Sequence, residues 1–229
     1  MLAAGSHKSQ SKVGIVVLAA GASVRMGTPK QLLVYQGQTL IRRQVETALA
    51  SLCSPIVVVI GANSELVENE LKELPVLVVA NREWRQGMGS SIRVGFETLV
   101  SSDATLQGVV FMLCDQPFIT AAVINELVHA HEVTRQDVIA AEYRGIRGVP
   151  ALFSKQLFAE ILALDVKEGA KQIIRNHSEG VATISVSEAA VDIDTPGDYE
   201  NLMRRHGELH RARDDNFFAR SGKNSECLI

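Results

Sequence analysis

Short runs of aliphatic and β-branched residues recur along the chain, separated by stretches whose apolar positions fall three or four apart. The first run, Val13–Ala19, is apolar and β-branched and reads as a buried strand. Residues 39–50 place Leu40, Ile41, Val45, Ala48 and Leu49 on one side of a helix. Residues 55–60 form a second apolar run closed by Gly61, and a helical pattern follows through Leu66, Val67 and Leu71. Residues 76–80 read as a third strand. Residues 89–99 read as a helix with Ser90 or Ser91 near its start and Ile92, Phe96 and Leu99 facing inward. A fourth, almost wholly apolar strand spans 109–114, then a helix over 121–131 and a strand over 138–141.

The pattern is less regular from Tyr143 to Ser187, with a short strand near 151–153 and helices around 155–162 and 169–175. Pro196 suits the first turn of a last helix through Tyr199, Leu202 and Met203. This alternation predicts an α/β, Rossmann-like three-layer fold, a mostly parallel sheet with helices on both faces. Ligands of such sheets bind at the C-terminal ends of the strands. The loops after Ala19, Ala80, Cys114 and Ala141 are therefore expected on one rim. Residues 13–206 read as a single domain, 1–12 as a disordered leader and 207–229 as a polar tail without apolar periodicity.

Composition narrows the function. Of 229 residues, 46% are apolar and 21% charged, the balance of an ordinary globular protein. A formal net charge of −3 excludes nucleic-acid binding by broad electrostatics, so an anionic ligand must be captured by local cations. Cys53, Cys114 and Cys227 are too few and too widely spaced for a disulfide framework or a zinc site, and they fit a reducing cytoplasm. No apolar run approaches the roughly 20 residues that span a bilayer. The N-terminal apolar stretch is too short for a signal peptide. The six histidines are scattered along the chain, and no Ser–His–Asp arrangement can be argued from them.

Candidate chemistry concentrates after the first strand. The run stops at Leu18-Ala19-Ala20-Gly21, and Ser23, Arg25, Met26, Gly27 and Lys30 follow. A strand end, a glycine that lets backbone approach closely and two cations make a polyphosphate loop. Gly21 and Gly27 stand six apart with Lys30 three later, which excludes a Walker A loop; Ser23 excludes the dinucleotide fingerprint. Asp115 ends the fourth strand at the same rim, and Asp194 precedes Thr195-Pro196. Both types of placement suit Mg²⁺, which takes one or two carboxylates plus substrate phosphates. Asp115 is equally suited to cap the helix after Phe118, and Asp194 to start the last helix. Gly87 and Ser91 sit at a helix entry, fit either to receive an anion or to cap. Trp84 reads as a packing residue.

These motifs resemble the MobA-like nucleotidyltransferase family. Residues 18–30 match its L-A-[AG]-G-x-S-x-R-M-G-x-x-K signature, Asn81 to Ser91 its N-x-x-W-x-x-G-x-x-x-S segment, and Asp115-Gln116-Pro117 its D-x-P. Tyr143, Gly145, Gly148 and Pro150 match its Y-x-G-x-x-G-x-P, and Asp192 to Tyr199 its closing D-I-D-T-P-x-D-Y. The five segments occur in order over residues 13–203. The Leu-Ala-Ala-Gly form, with Ala20 in place of glycine, is most similar to the molybdenum cofactor cytidylyltransferase branch.

The resemblance implies Mg²⁺-dependent transfer of CMP from CTP, or of another nucleotide from its triphosphate, to the terminal phosphate of molybdenum cofactor. It implies that Arg25 and Lys30 are catalytic, and that Leu18, Ala19, Ala20, Gly21, Ser23, Asn81, Gly87, Ser91 and Asp115 bind nucleotide. Asp115 and Asp194 are the implied metal ligands; Tyr143, Gly145, Gly148, Pro150 and Lys171 the implied acceptor side. Lys171 stands where the family favours arginine. A molybdenum hydroxylase apo-enzyme is the implied recipient of the product. Alternatives are transfer to a sugar phosphate or an isoprenoid-precursor phosphate, or a non-catalytic carrier of molybdenum cofactor.

Overall fold

The computed structural model describes residues 11–186 and 191–204. The strands are β1 (Val13–Ala19), β2 (Val34–Tyr35), β3 (Gln38–Thr39), β4 (Ile56–Ile60), β5 (Leu77–Ala80), β6 (Gly108–Leu113), β7 (Val138–Tyr143), β8 (Ile146–Ser154) and β9 (Val181–Ser185). The helices are α1 (Leu40–Leu49), α2 (Ser64–Asn69), α3 (Met88–Ser102), α4 (Ala121–Thr134), α5 (Phe158–Ala163) and α6 (Ala170–Asn176). Residues 196–204 are also helical. Seven strands form one sheet in the order β5-β4-β1-β6-β8-β7-β9, and β2 and β3 make a separate hairpin.

The centre of the sheet is parallel because its apolar runs are buried on both faces. β1 lies between β4 and β6, with Ile15 opposite Ile56 on one side and Val110 on the other. One core cluster joins inward residues of α1, α2 and α4 to one face, and a second joins α3, α5 and α6 to the other. The three-layer α/β architecture is as the alternation of patterns implies.

Two expectations are corrected. The short strand near 151–153 is the end of a nine-residue strand, β8, which runs antiparallel to both β6 and β7. Arg144 and Gly145, at φ 51° and 75°, turn the chain tightly between β7 and β8. A bulge between Ala140 and Ala141 leaves Val149 and Pro150 outside the ladder, where a residue without an N–H is tolerated. Arg147, Gly148 and Pro150 interrupt the apolar run, so the sequence pattern shortens the strand. β9 was not anticipated: it is an edge strand with one buried residue, Ile184, and so lacks a long apolar run.

Ser11 and Lys12 contact the body, through Ser11 N to Glu132 Oε1 at 3.1 Å and the Lys12–Asp103 ion pair. The rest of the expected leader and the tail from Gly207 lie outside the described residues. Among the described residues, no helix is long and apolar enough to cross a membrane.

α3 seats on the sheet through Gly95. A Cβ there would lie 2.5 Å from Val59 Cγ2 and 2.6 Å from Val16 Cγ1, both on central strands. Gly95→Val should therefore overpack this contact and lower stability by about 1–3 kcal/mol. Urea denaturation checks this, and an unchanged midpoint would contradict the packing account.

Candidate active site

β1 delivers the chain to the rim at Ala19, and the loop beyond is held by side chains. The backbone of Met26 and Gly27 donates to Ser23 O at 3.0 and 3.1 Å, closing a turn in which Ser23 takes φ 57°. Ser23 Oγ accepts from Lys30 N at 3.0 Å and donates to Gln31 Oε1 at 3.3 Å. Gln31 is fully buried, and its Nε2 donates to the carbonyls of Ala19 and Gly21 at 2.9 and 2.7 Å. A side-chain amide thus satisfies the carbonyls that the strand end leaves open. Gln31 is a site residue that sequence reading missed, because a lone glutamine reads as surface.

Lys30 enters the site from the turn Lys30–Leu32, and its ammonium pairs with both Asp115 and Asp194, the latter at 3.1 Å. The second oxygen of Asp194 accepts from Arg25 Nη2 at 2.9 Å. Four residues separated by up to 169 positions therefore form one charge cluster. Burial alone would lower the Lys30 ammonium, but the charge and hydrogen bond of Asp115, with the hydrogen bond of Asp194, hold it above the usual lysine range. Burial pushes the adjacent Cys114 thiol up to about 12, so it remains a neutral wall.

Neither carboxylate caps the helix that the sequence offered it. α4 is capped by Thr120, whose side chain accepts from Val123 N, and not by Asp115. At the last helix Asp198 Oδ2 accepts from Thr195 N at 2.8 Å and Thr195 Oγ1 accepts from Asp198 N at 3.3 Å. This reciprocal capping box frees the Asp194 carboxylate. Ile193 N donates to Asp115 O at 3.0 Å, which aligns the two aspartates. Tyr199 Oη donates to Val34 O at 2.7 Å, anchoring the last helix to the β2–β3 hairpin.

A cleft of about 370 Å³ opens beside this cluster, lined by residues that include Leu18, Ala19, Ala20, Gly21, Gly87, Ser91 and Asp115. Trp84, Arg85 and Met88 line it too. Trp84 packs against the core cluster beneath α3, as expected, and Arg85 stacks on it with Cζ 4.4 Å from the ring centroid. Asn81 is buried behind the cleft and donates to Ser90 Oγ and Ser91 Oγ at 2.8 and 2.9 Å. Gly87, at φ 136°, starts α3 against the Val166 carbonyl, and Gly89 N donates to that carbonyl at 3.0 Å.

None of the expected acceptor residues lines this cleft, and the group is separated within itself. Tyr143, Gly148 and Lys171 converge: a Cβ at Gly148 would lie 2.7 Å from Tyr143 Oη and 3.4 Å from Lys171 Cε. Partial burial, then the negative charges of Asp192 and Asp115, raise the Tyr143 phenol, so it stays a proton donor. Gly145 is at the hairpin turn and Pro150 in the bulge. Gln116, unanticipated, is 1% exposed; its Nε2 donates to Val149 O at 3.2 Å and Asp192 Oδ1 at 3.0 Å. Its own carbonyl accepts from the buried Gln44 Nε2 at 2.7 Å, which ties α1, the bulge and the segment before Asp194 together.

Among the described residues no group of three or more His, Cys, Asp or Glu side chains could hold a metal. Two carboxylates do converge, and Asp115 Oδ1 is buried without a donor. Two acidic oxygens with room for a ligand's phosphates suit a hard divalent ion that takes few protein ligands.

Comparison with known proteins places this geometry. Residues 15–181 match the MobA-like NTP transferase domain. A nicotine blue oxidoreductase from Paenarthrobacter nicotinovorans is 31% identical over 79% of this chain and 91% of its own length. The molybdenum cofactor cytidylyltransferase of Escherichia coli is 24% identical over 87% of this chain and 100% of its own. The structure of Rv0371c from Mycobacterium tuberculosis in complex with manganese superposes with a TM-score of 0.68 at 24% identity, covering 85% of this chain and 99% of that one.

Gln31→Leu keeps the volume but removes both donors to the loop carbonyls. It should cost about 1–3 kcal/mol for each group left unpaired. Urea denaturation reads the loss, and wild-type stability in this variant would contradict the role given to the amide.

Proposed function

The chain belongs to the MobA-like NTP transferase family, and on that premise we propose that it transfers CMP from CTP to the terminal phosphate of molybdenum cofactor. The observation that carries this reading is Lys30 held between Asp115 and Asp194 at the mouth of a strand-end cleft. Two cations and two carboxylates in one cluster beside the cleft suit a reaction whose reactants are polyanions.

An acceptor phosphate oxygen attacks the α-phosphorus of the triphosphate in line. The bond to the β-phosphate oxygen breaks, and pyrophosphate leaves with the bonding electrons. The nucleophile is already an anion, so no side chain need remove a proton. Catalysis therefore rests on positioning and on charge stabilisation. Lys30 and Arg25 face the α-phosphate and the leaving pyrophosphate from the loop. The loop backbone at Ala20 and Gly21, with Ser91 across the cleft, lines the space for the nucleoside. Tyr143 and Lys171 orient the acceptor from the β7–β8 side, the phenol as a donor and the ammonium as a charge. Asp115 and Asp194 would hold Mg²⁺. When bound, that ion neutralises phosphate oxygens and orients the leaving group.

The choice of cytosine rests on Ala20 and on likeness to the cytidylyltransferase relative. Ala20 lines the cleft, and a Cβ at Gly61 would lie 2.8 Å from its methyl, so the strand ends are drawn together around a small side chain. A narrow cleft favours a pyrimidine. A molybdenum hydroxylase apo-enzyme would then receive the product, in the cytoplasm.

Pyrophosphate release with each nucleoside triphosphate and molybdenum cofactor tests this reading. CTP should be the preferred donor by tenfold or more, since about 1.4 kcal/mol of discrimination suffices. Turnover with GTP alone would overturn the cytosine assignment. Cofactor binding without pyrophosphate release would favour a carrier, and turnover only with a sugar or isoprenoid-precursor phosphate would replace the acceptor. Pyrophosphate release also separates transfer from the redox reaction in the first relative's name.

Asp115→Asn should reduce pyrophosphate release by about a hundredfold or more, a loss typical of removing one charge-stabilising group. Its circular dichroism spectrum should stay that of the wild type. Near-normal turnover would refute a metal role for Asp115.

A further inference from the structure

The ammonium of Lys30 claims the same carboxylates that a divalent ion needs. It pairs with Asp115 and with Asp194 Oδ1 at 3.1 Å, while Arg25 takes Asp194 Oδ2 at 2.9 Å. The cluster contains two positive and two negative groups, so it is formally neutral as it stands. The Lys30 side chain is only 17% exposed and that of Asp115 9%, so water screens them poorly. A divalent ion placed on these oxygens beside an unmoved ammonium would meet unscreened repulsion. Lysine can avoid it, because its ammonium rides on a flexible stem and has no fixed fork geometry. The cleft in contact with Lys30 is where a triphosphate would offer it new anionic partners.

We propose that Lys30 is an exchangeable internal counter-ion, which yields Asp115 and Asp194 to a divalent ion only when a triphosphate takes its ammonium. Metal and nucleotide then bind cooperatively, each raising the affinity of the other by the same factor. Lys30 has two successive partners. It neutralises the paired carboxylates first and grips phosphate afterwards. This inference rests on the metal and triphosphate reading above, but concerns the order of pairing and not the reaction.

The test is Mn²⁺ binding to the full chain, followed by electron paramagnetic resonance, with and without a non-hydrolysable methylene analogue of CTP. In the wild type the analogue should tighten Mn²⁺ binding by about tenfold or more, within the usual range of coupling between sites. Lys30→Gln, which cannot compete as a cation, should bind Mn²⁺ without nucleotide about tenfold more tightly than the wild type and lose most of the coupling. Lys30→Arg keeps the charge and should bind Mn²⁺ without nucleotide as weakly as the wild type. Thermal unfolding of both variants confirms that they are folded.

Lys30→Gln binding Mn²⁺ no more tightly than the wild type would overturn the exchange while leaving the metal site standing. Equal Mn²⁺ affinity in the wild type with and without the analogue would do the same. No Mn²⁺ binding by the wild type even with the analogue would overturn the metal reading itself, and the exchange with it.

Discussion

Two ionised carboxylates at the end of a buried sheet repel one another unless a cation lies between them. Lys30 supplies that cation to Asp115 and Asp194, and the rest of the site is arranged so that it can. Asp115 is fixed by β6, whose apolar run is buried between neighbouring strands. Asp194 arrives from a segment that has no place in the sheet, and is set by one backbone bond to Asp115 and by the capping box behind it. Removing Lys30 or Asp115, the two buried partners, leaves an uncompensated buried charge, which costs more than the pair gains. The site is therefore stable as a set and fragile as individuals.

Buried amides hold this set in register. Gln31 joins β1 to the turn that presents Lys30, and Gln116 joins the rim to the bulge of β8 and to Asp192. Asn81 fixes the serines at the start of α3 on the far wall. Each amide satisfies backbone or side-chain groups that irregular loops would otherwise bury unpaired. Irregular backbone at a buried rim needs polar side chains to complete its hydrogen bonding.

The central strands and the helices were legible because β1, β4 and β6 are continuous apolar runs between amphipathic segments. β8 extends further than its apolar pattern, because Gly148 and the bulged Pro150 break that pattern while the backbone continues. β9 alternates weakly at an edge and gives no run to find. Asp115 and Asp194 were legible as candidates, but the choice between site and cap needed their neighbours. For Asp194 the signal was present in the sequence: Thr195 and Asp198 have the spacing of a capping box, which assigns the cap elsewhere. Gln31 and Gln116 were not legible, since nothing in a single glutamine marks it as buried.

The central claim is that the charge cluster serves attack at the α-phosphorus. CTP carrying a radiolabel at its α-phosphate, incubated with Mg²⁺, the protein and molybdenum cofactor, tests this most directly. The label should move into a dinucleotide form of the cofactor, in equal amount to the pyrophosphate released. Label that stays in CTP, or that appears only as free CMP while the cofactor remains unlabelled, would contradict it.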